Sequence, residues 1–143
     1  MGLDNALAIS VSGVTAERTH MELISSNIAN ISTTRSLSGG PYRRKEAVFS
    51  EKALSFDQEL SAAERKMQSG GVEVQDVVED KSAFNKVYNP SHPDADAQGF
   101  VKTPNVDMSK EMVDMVYASK LYEANITTYN ATKKMMQDTL QIQ

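Results

Sequence analysis

The stretch MSKEMVDMVYASKLYEANITTYNATKKMMQDTLQIQ, residues 108–143, decides the fold. It contains neither glycine nor proline, so it predicts one continuous helix of about 34 residues, which is about 50 Å long at the usual rise per residue. Large apolar side chains recur every seven residues, and a second set lies four residues further on. The two sets are Met108, Met115, Tyr122, Tyr129 and Met136, and Met112, Ile126 and Leu140. This spacing is typical of a helix that packs along another helix.

The beginning of the chain carries a second apolar seam with the same period. The seam consists of Leu7, Val14, Met21 and Ile28, with Ile24 at an intermediate offset. We expect a helix from about residue 4 to about residue 31, which is about 40 Å long. Asn27, Asn30 and the Ser/Thr residues after them supply the signals that end a helix. The two terminal helices are predicted to pair as an antiparallel coiled coil.

The middle of the chain changes from helical spacing to short β-branched runs between turns. Gly39-Gly40-Pro41 and Gly70-Gly71 are turn signals, and the second of four strand candidates has an irregularity near Asp76. The strand candidates are 42–49, 72–78, 84–88 and 99–103. Prolines make 89–93 irregular, and 50–69 is either a short amphipathic helix or a mobile loop.

The predicted fold class is therefore α+β, with a small β-rich insert between two long terminal helices. The N-terminal arm covers 1–33, the insert covers 34–103, and the C-terminal arm covers 104–143. We expect the two arms together to form one helical domain.

Composition argues against several classes of function. The chain of 143 residues has no cysteine, two histidines and a formal net charge of -4. Absent cysteines exclude disulfides and thiolate metal sites, and the negative charge disfavours a nucleic-acid binder. There is no apolar run of 18 residues to span a bilayer as a helix. We predict no enzyme activity, no cofactor, no metal, no nucleic acid and no small-molecule substrate.

One acidic turn could suggest a metal site. His92, Asp94 and Asp96 lie close together, and 94–99 resembles the first half of a calcium loop. The twelfth position of that loop is Asn105, where a bidentate glutamate is needed. We therefore expect a turn in which the acids cap exposed backbone amides.

Two other groups of residues could suggest chemistry. Strand alternation places Arg43 and Lys45 on one face and Arg44 on the other, so they form no single platform for phosphate. We expect a solvated or subunit-facing strand instead of a nucleic-acid interface. Ser12 and His20 are about 12 Å apart along a helix, too far for a nucleophile and its base.

The C-terminal helix has more apolar surface than one partner helix can cover. Val113, Val116, Tyr117 and Leu121 lie off its seam. Exposed apolar patches of this size mark interaction surfaces, so we expect neighbouring subunits to complete a wider bundle. The alternative is a monomeric hairpin of helices that docks this second stripe on the β-rich insert.

Several motifs of the arms resemble the axial proteins of the bacterial flagellar rod and hook. They are SSNIAN at 25–30, PNVD at 104–107 and YEAN at 122–125. The signature positions are Asn27, Asn30, Pro104, Asn105, Asp107, Tyr122 and Asn125. In the insert, GGPYRRK at 39–45, YNPSHPDAD at 88–96 and GFV at 99–101 are similar to the proximal rod members of that family, as is the short length.

This resemblance implies a structural subunit of the basal-body proximal rod. Its paired arms would form the inner tube of a hollow shaft that transmits torque and surrounds the export channel. Implied partners are copies of itself, other rod proteins, the base of the rod at the membrane ring, and the flagellar type III export apparatus. The location would be the periplasm-spanning rod, reached without a cleaved signal peptide. The alternatives are another rod- or hook-type subunit and, in a different class, a soluble helical adaptor or export chaperone.

Overall fold

The structure is a computed structural model that describes residues 3–36, 39–52 and 70–141. Along the chain, four strands lie between two helices. These are α1 (Leu3–Ala29), β1 (Lys45–Glu51), β2 (Val72–Glu79), β3 (Asn85–Tyr88), β4 (Phe100–Thr103) and α2 (Met108–Gln141). The α+β class and the two long terminal helices are confirmed. The sequence predicts either a short helix or a mobile loop at 50–69. Most of that segment, residues 53–69, lies outside the described residues.

The two helices run antiparallel along each other. Asn27 of α1 bonds to Glu111 of α2, and Gly13 lies against Asn125. The two contact points are 14 residues apart on each helix, so the pairing advances in step along both. This arrangement is compatible with the predicted antiparallel coiled coil.

Small side chains bring the helix backbones close together. A Cβ atom on Gly13 would lie 2.8 Å from Nδ2 of Asn125. Apart from Ile24 and two polar residues, the buried helix positions are small: Ser10, Gly13, Ala16, Ala118 and Thr132. Apart from Ile24, the large side chains of the predicted seams consequently lie beside the closest contact instead of within it.

Helix α2 begins where the sequence indicates. The Asp107 carboxylate accepts hydrogen bonds from the backbone N–H groups of Ser109 (2.8 Å) and Lys110 (3.3 Å). Asp107 is therefore the N-cap, and its charge favours the positive end of the helix dipole.

The β1–β2 hairpin is antiparallel and packs on α1. Val48 pairs with Asp76 and Phe49 with Val74, so Gln75 is an extra residue and the predicted irregularity is confirmed as a β-bulge. Phe49 meets the His20 ring of α1 edge to face, with centroids 5.4 Å apart.

The second sheet is the antiparallel β3–β4 pair, in which the two strands align from Asn85↔Thr103 to Tyr88↔Phe100. Val101 of β4 is buried. The predicted strand 42–49 begins three residues late, because Tyr42 donates its N–H to Thr33 instead of to a strand.

Candidate assembly interface

A buried polar junction joins α1, the start of β1 and α2. Asn27 is fully buried, and its side-chain amide makes four hydrogen bonds. Its Nδ2 donates to the Lys45 carbonyl (2.9 Å) and to Oε2 of Glu111 (3.0 Å), while Oδ1 accepts from the Lys45 N–H (2.9 Å) and the Tyr42 hydroxyl (3.0 Å). Asn27 therefore pairs with the Lys45 backbone much as a neighbouring strand would, and its amide is fully satisfied.

An ion pair completes this junction. The Glu111 side chain has no exposed surface, and its Oε1 accepts from Nε of Arg44 at 2.5 Å. Arg44 is itself buried and also pairs with Glu46 and, at 3.4 Å, with Asp114. The expectation of a solvated or subunit-facing strand is thus wrong for Arg44. Its partner Glu111 lies 67 residues away, so no local pattern could reveal this pair.

The remaining signature residues near the junction hold the backbone in place. Asn105 accepts the Arg44 N–H (3.0 Å) on Oδ1 and donates through Nδ2 to the Asp80 carbonyl (3.1 Å). Pro104 is buried, and its carbonyl accepts from Nδ2 of Asn85. Asn30 donates to the Ser26 carbonyl, closing the last turn of α1. These contacts hold the insert against the helices.

The signature residues of the C-terminal arm lie on the paired side of α2. Asn125 faces Gly13 of α1, and Tyr122 is half-buried beside this contact. Asn125 therefore lies within the pairing of the arms, whereas Tyr122 keeps part of its side chain accessible.

The predicted assembly residues divide into three groups by exposure. Ile24 is buried within the chain. Most of the others are half-buried along the sides of the helix pair: Leu7, Val14, Met21, Ile28, Met115, Tyr122, Ile126, Tyr129 and Met136. The exposed ones are Met108, Met112 and Leu140. The exposed and half-buried groups leave apolar surface beyond the helix pair.

A second apolar stripe faces away from α1. Val113 is 68% exposed, and Val116 and Tyr117 are each 63% exposed. The prediction that these three lie off the paired surface is confirmed, whereas Leu121 is half-buried against the pair. Within the described parts of the chain, α2 packs on α1 and on no strand. The alternative in which this stripe docks on the insert is therefore disfavoured.

An apolar cavity of about 320 Å³ opens between the helices on one side. Val11, Val14, Ile126, Tyr129 and Asn130 line it. Val14 belongs to one predicted seam, and Ile126 and Tyr129 belong to the other, so these half-buried seam side chains border a recess that a neighbouring side chain could enter.

The acidic turn around Asp94 and Asp96 is held by its own backbone and by the residues that follow α1. Asp96 accepts from the N–H groups of Phe100 and Gln98, each at 2.9 Å, which confirms its predicted capping role. The N–H of Phe100, chiefly, holds the pKa of Asp96 below its usual value. Asp94 instead accepts from Thr34 at 2.8 Å and pairs with Arg35, and the Thr34 hydrogen bond lowers the pKa of Asp94.

The described residues offer no arrangement for catalysis. Ser12 donates to the Ile9 carbonyl and accepts the Val72 N–H, while His20 lies beside Glu17. Across 3–36, 39–52 and 70–141, no group of three or more acidic, histidine or cysteine residues could hold a metal. Neither described helix has the length and apolarity that crossing a membrane requires.

Comparison with known proteins gives a consistent result. The family described as flagella basal body rod protein matches residues 7–35, and the flagellar basal body rod FlgEFG protein C-terminal family matches residues 97–142. The flagellar basal-body rod protein FlgC of Bacillus subtilis is 45% identical, with 96% of each chain covered. The FlgC proteins of Borreliella burgdorferi (99% and 98% covered) and Escherichia coli O6:H1 (98% and 97%) are 39% and 40% identical.

Proposed function

The chain belongs to the FlgC family of flagellar basal-body rod proteins, and from this premise we propose how it builds the rod. It is a structural subunit of the flagellar basal body and not an enzyme, and it assembles with other rod components. In our proposal, the paired arms pack against the arms of neighbouring subunits of the proximal rod. The resulting hollow shaft surrounds the export channel and transmits torque.

The observation that carries the proposal is the exposed stripe of Val113, Val116 and Tyr117 on α2. Three large apolar side chains within five residues are unfavourable in water, and their burial contributes about 25 cal/mol per Å² of apolar surface. The stripe lies opposite α1, so a third helix can cover it without disturbing the pair. Arms of neighbouring subunits supply such helices.

We propose that folding and assembly are coupled. An arm that lacks part of its apolar surroundings is only marginally helical, because helix nucleation is costly and packing supplies most helical stability. At the growing end of the rod, neighbouring arms provide the missing surface, and burial offsets the ordering entropy. A helical shaft also requires head-to-tail contacts between two different surfaces of the subunit.

The partners in this proposal are copies of the same chain, the other rod proteins and the base of the rod at the membrane ring. The chain travels through the flagellar type III export apparatus. Loosely ordered arms favour this route, because an unpaired helix passes a narrow channel more easily than a finished bundle. The assembled subunit lies in the rod where it spans the periplasm.

The test replaces Val116 with aspartate in cells that build their rods from this chain. We expect loss of rods and of motility, because a carboxylate would be buried in the helix–helix contact. Val116→Leu is the matched control and should leave motility intact, since it keeps an apolar side chain. Met115 and Tyr122 are less suitable positions, because both are half-buried against α1.

The purified Val116→Asp chain should have the same circular dichroism as the unaltered chain, because this side chain contributes nothing to the pair within one subunit. Normal motility of Val116→Asp cells would contradict the proposal.

A further inference from the structure

The β1–β2 hairpin has an acidic outer face. Strand register puts the pairs Glu46↔Val78, Val48↔Asp76 and Ser50↔Glu73 on one side of the sheet. The opposite side packs on α1 through Phe49 and the His20 ring. The outer face therefore presents three acids around Val48 and Val78, which are 37% and 38% exposed.

The β3–β4 sheet has a basic, aromatic outer face. The register places Lys86 opposite Lys102 and Tyr88 opposite Phe100 on one side. The two rings meet edge to face at 5.3 Å, and Tyr88 is 65% exposed. The other side of this sheet carries the buried Val101.

Some of the acids near these two faces already have hydrogen bonds or an ion pair within the chain. Asp96 lies near Lys86 and Lys102, but its carboxylate accepts the N–H groups of Phe100 and Gln98. On the hairpin, Glu46 pairs with Arg44, and Asp76 accepts the Val77 N–H. Glu73 and one oxygen of Asp76 are the acids best placed to meet a cation from outside.

We propose that the acidic face of the β1–β2 hairpin in one copy of this chain docks on the basic, aromatic face of the β3–β4 sheet in the next copy. Opposite charges would surround an apolar centre of valines and aromatic rings. Contacts between two like faces are disfavoured, because they would oppose acids to acids or lysines to lysines. Since the two faces differ, the contact is head-to-tail and can repeat from one copy to the next, as a rod requires.

The contact is small and depends on the proposed function. The smaller face, that of β3–β4, measures about 10 by 13 Å from strand spacing and rise, and it limits the contact to far below the area of a stable independent interface. It would therefore form only between copies that their arms already hold side by side, where the effective concentration is high. Free chains would not associate through it.

Disulfide trapping tests the contact, because the chain contains no cysteine of its own. The variant combines Val78→Cys with Tyr88→Cys, and intact basal bodies from cells that use this chain are oxidised. We expect a ladder of covalently linked copies, since the bond requires Cα atoms within about 7 Å. Each single variant should give no ladder.

Two matched controls move one cysteine to the opposite face of the same strand. Val77→Cys with Tyr88→Cys and Val78→Cys with Val87→Cys place thiols at exposed positions that point away from the proposed contact. Both should link at least about fivefold less. Three results would overturn the inference. They are equal linking by the controls, no ladder in rods that assemble normally, and linking only to a different rod protein.

Charge reversal provides an independent readout of the same contact. Lys86→Glu with Lys102→Glu should weaken the ladder several-fold, and adding Glu73→Lys with Asp76→Lys in the same chain should restore it. A ladder restored by the second pair of substitutions supports the contact. A ladder that is unchanged in Lys86→Glu with Lys102→Glu opposes it. Normal rods without any ladder would refute this inference alone, whereas motile Val116→Asp cells would refute the proposed function.

Discussion

Replacing Arg44 with methionine would test whether the polar junction stabilises the fold. Methionine keeps much of the volume of the arginine but removes the cation. Glu111, which has no exposed surface, would then keep only the Asn27 amide as a hydrogen-bond donor. An uncompensated buried charge of this kind costs about 3–5 kcal/mol of unfolding free energy.

Removing the charge of Glu111 should lower the unfolding free energy less than removing the charge of Arg44, because Arg44 has other acidic partners. In Glu111→Gln, Arg44 would retain Asp114 and Glu46, and the new side chain would still accept from Asn27. We expect a loss of about 1.5–3 kcal/mol, the usual contribution of a charged hydrogen bond. The double variant Arg44→Met/Glu111→Met should be more stable than Arg44→Met alone, because it leaves no unpaired charge in the pair.

Urea unfolding followed by circular dichroism gives these free energies, with an osmolyte such as TMAO present to favour the folded state. The two single variants and the double variant Arg44→Met/Glu111→Gln form a mutant cycle, which isolates the interaction between the two side chains. The reasoning would be refuted if Arg44→Met cost less than about 1 kcal/mol or no more than Glu111→Gln.

Two further predictions concern the helix contact and the acidic turn. Gly13→Leu should cost about 1–3 kcal/mol in urea unfolding, because its side chain would enter the space of Asn125. Gly13→Ala should be close to neutral, since the gain in helix propensity offsets a shift of that amide. Because the pKa of Asp96 is lowered in the fold, its stabilisation is present above the ordinary carboxyl pKa and is lost as pH falls through the lowered value. The protection factors of the amides in 89–99, which correct for the slower intrinsic exchange in acid, should therefore fall on acidification. Asp96→Asn should flatten that fall, and protection factors that do not change with pH in the unaltered chain would contradict the prediction.

The sequence predicts the helices well because their signals are local. The absence of glycine and proline after Pro104 locates α2, and the structure shows Asp107 as its cap. Turn glycines and the valine-rich run likewise locate the hairpin, including its bulge at Gln75. Each of these features depends on residues within one or two turns of one another, so a single sequence contains the whole signal.

The line of closest helix contact was not predictable in the same way. Periodicity identifies the apolar side of a helix, but the distance between backbones depends on side-chain volume. Gly13 and Ala118 carry almost no apolar signal, yet they are buried where the helices are closest. The pairing of Arg44 with Glu111 was missed for a different reason, because alternation along a strand cannot say which distant residue covers a face.

The small side chains between the helices have a mechanical consequence. Smooth surfaces of Gly13, Ala118 and Thr132 offer little resistance when one helix slides along the other. The hydrogen-bonded Asn27 and Glu111 act as a pin, which among the described residues joins the two helices near one end. Shear between the arms should therefore grow with distance from the pin, which leaves the far end free to adjust its fit as the rod twists.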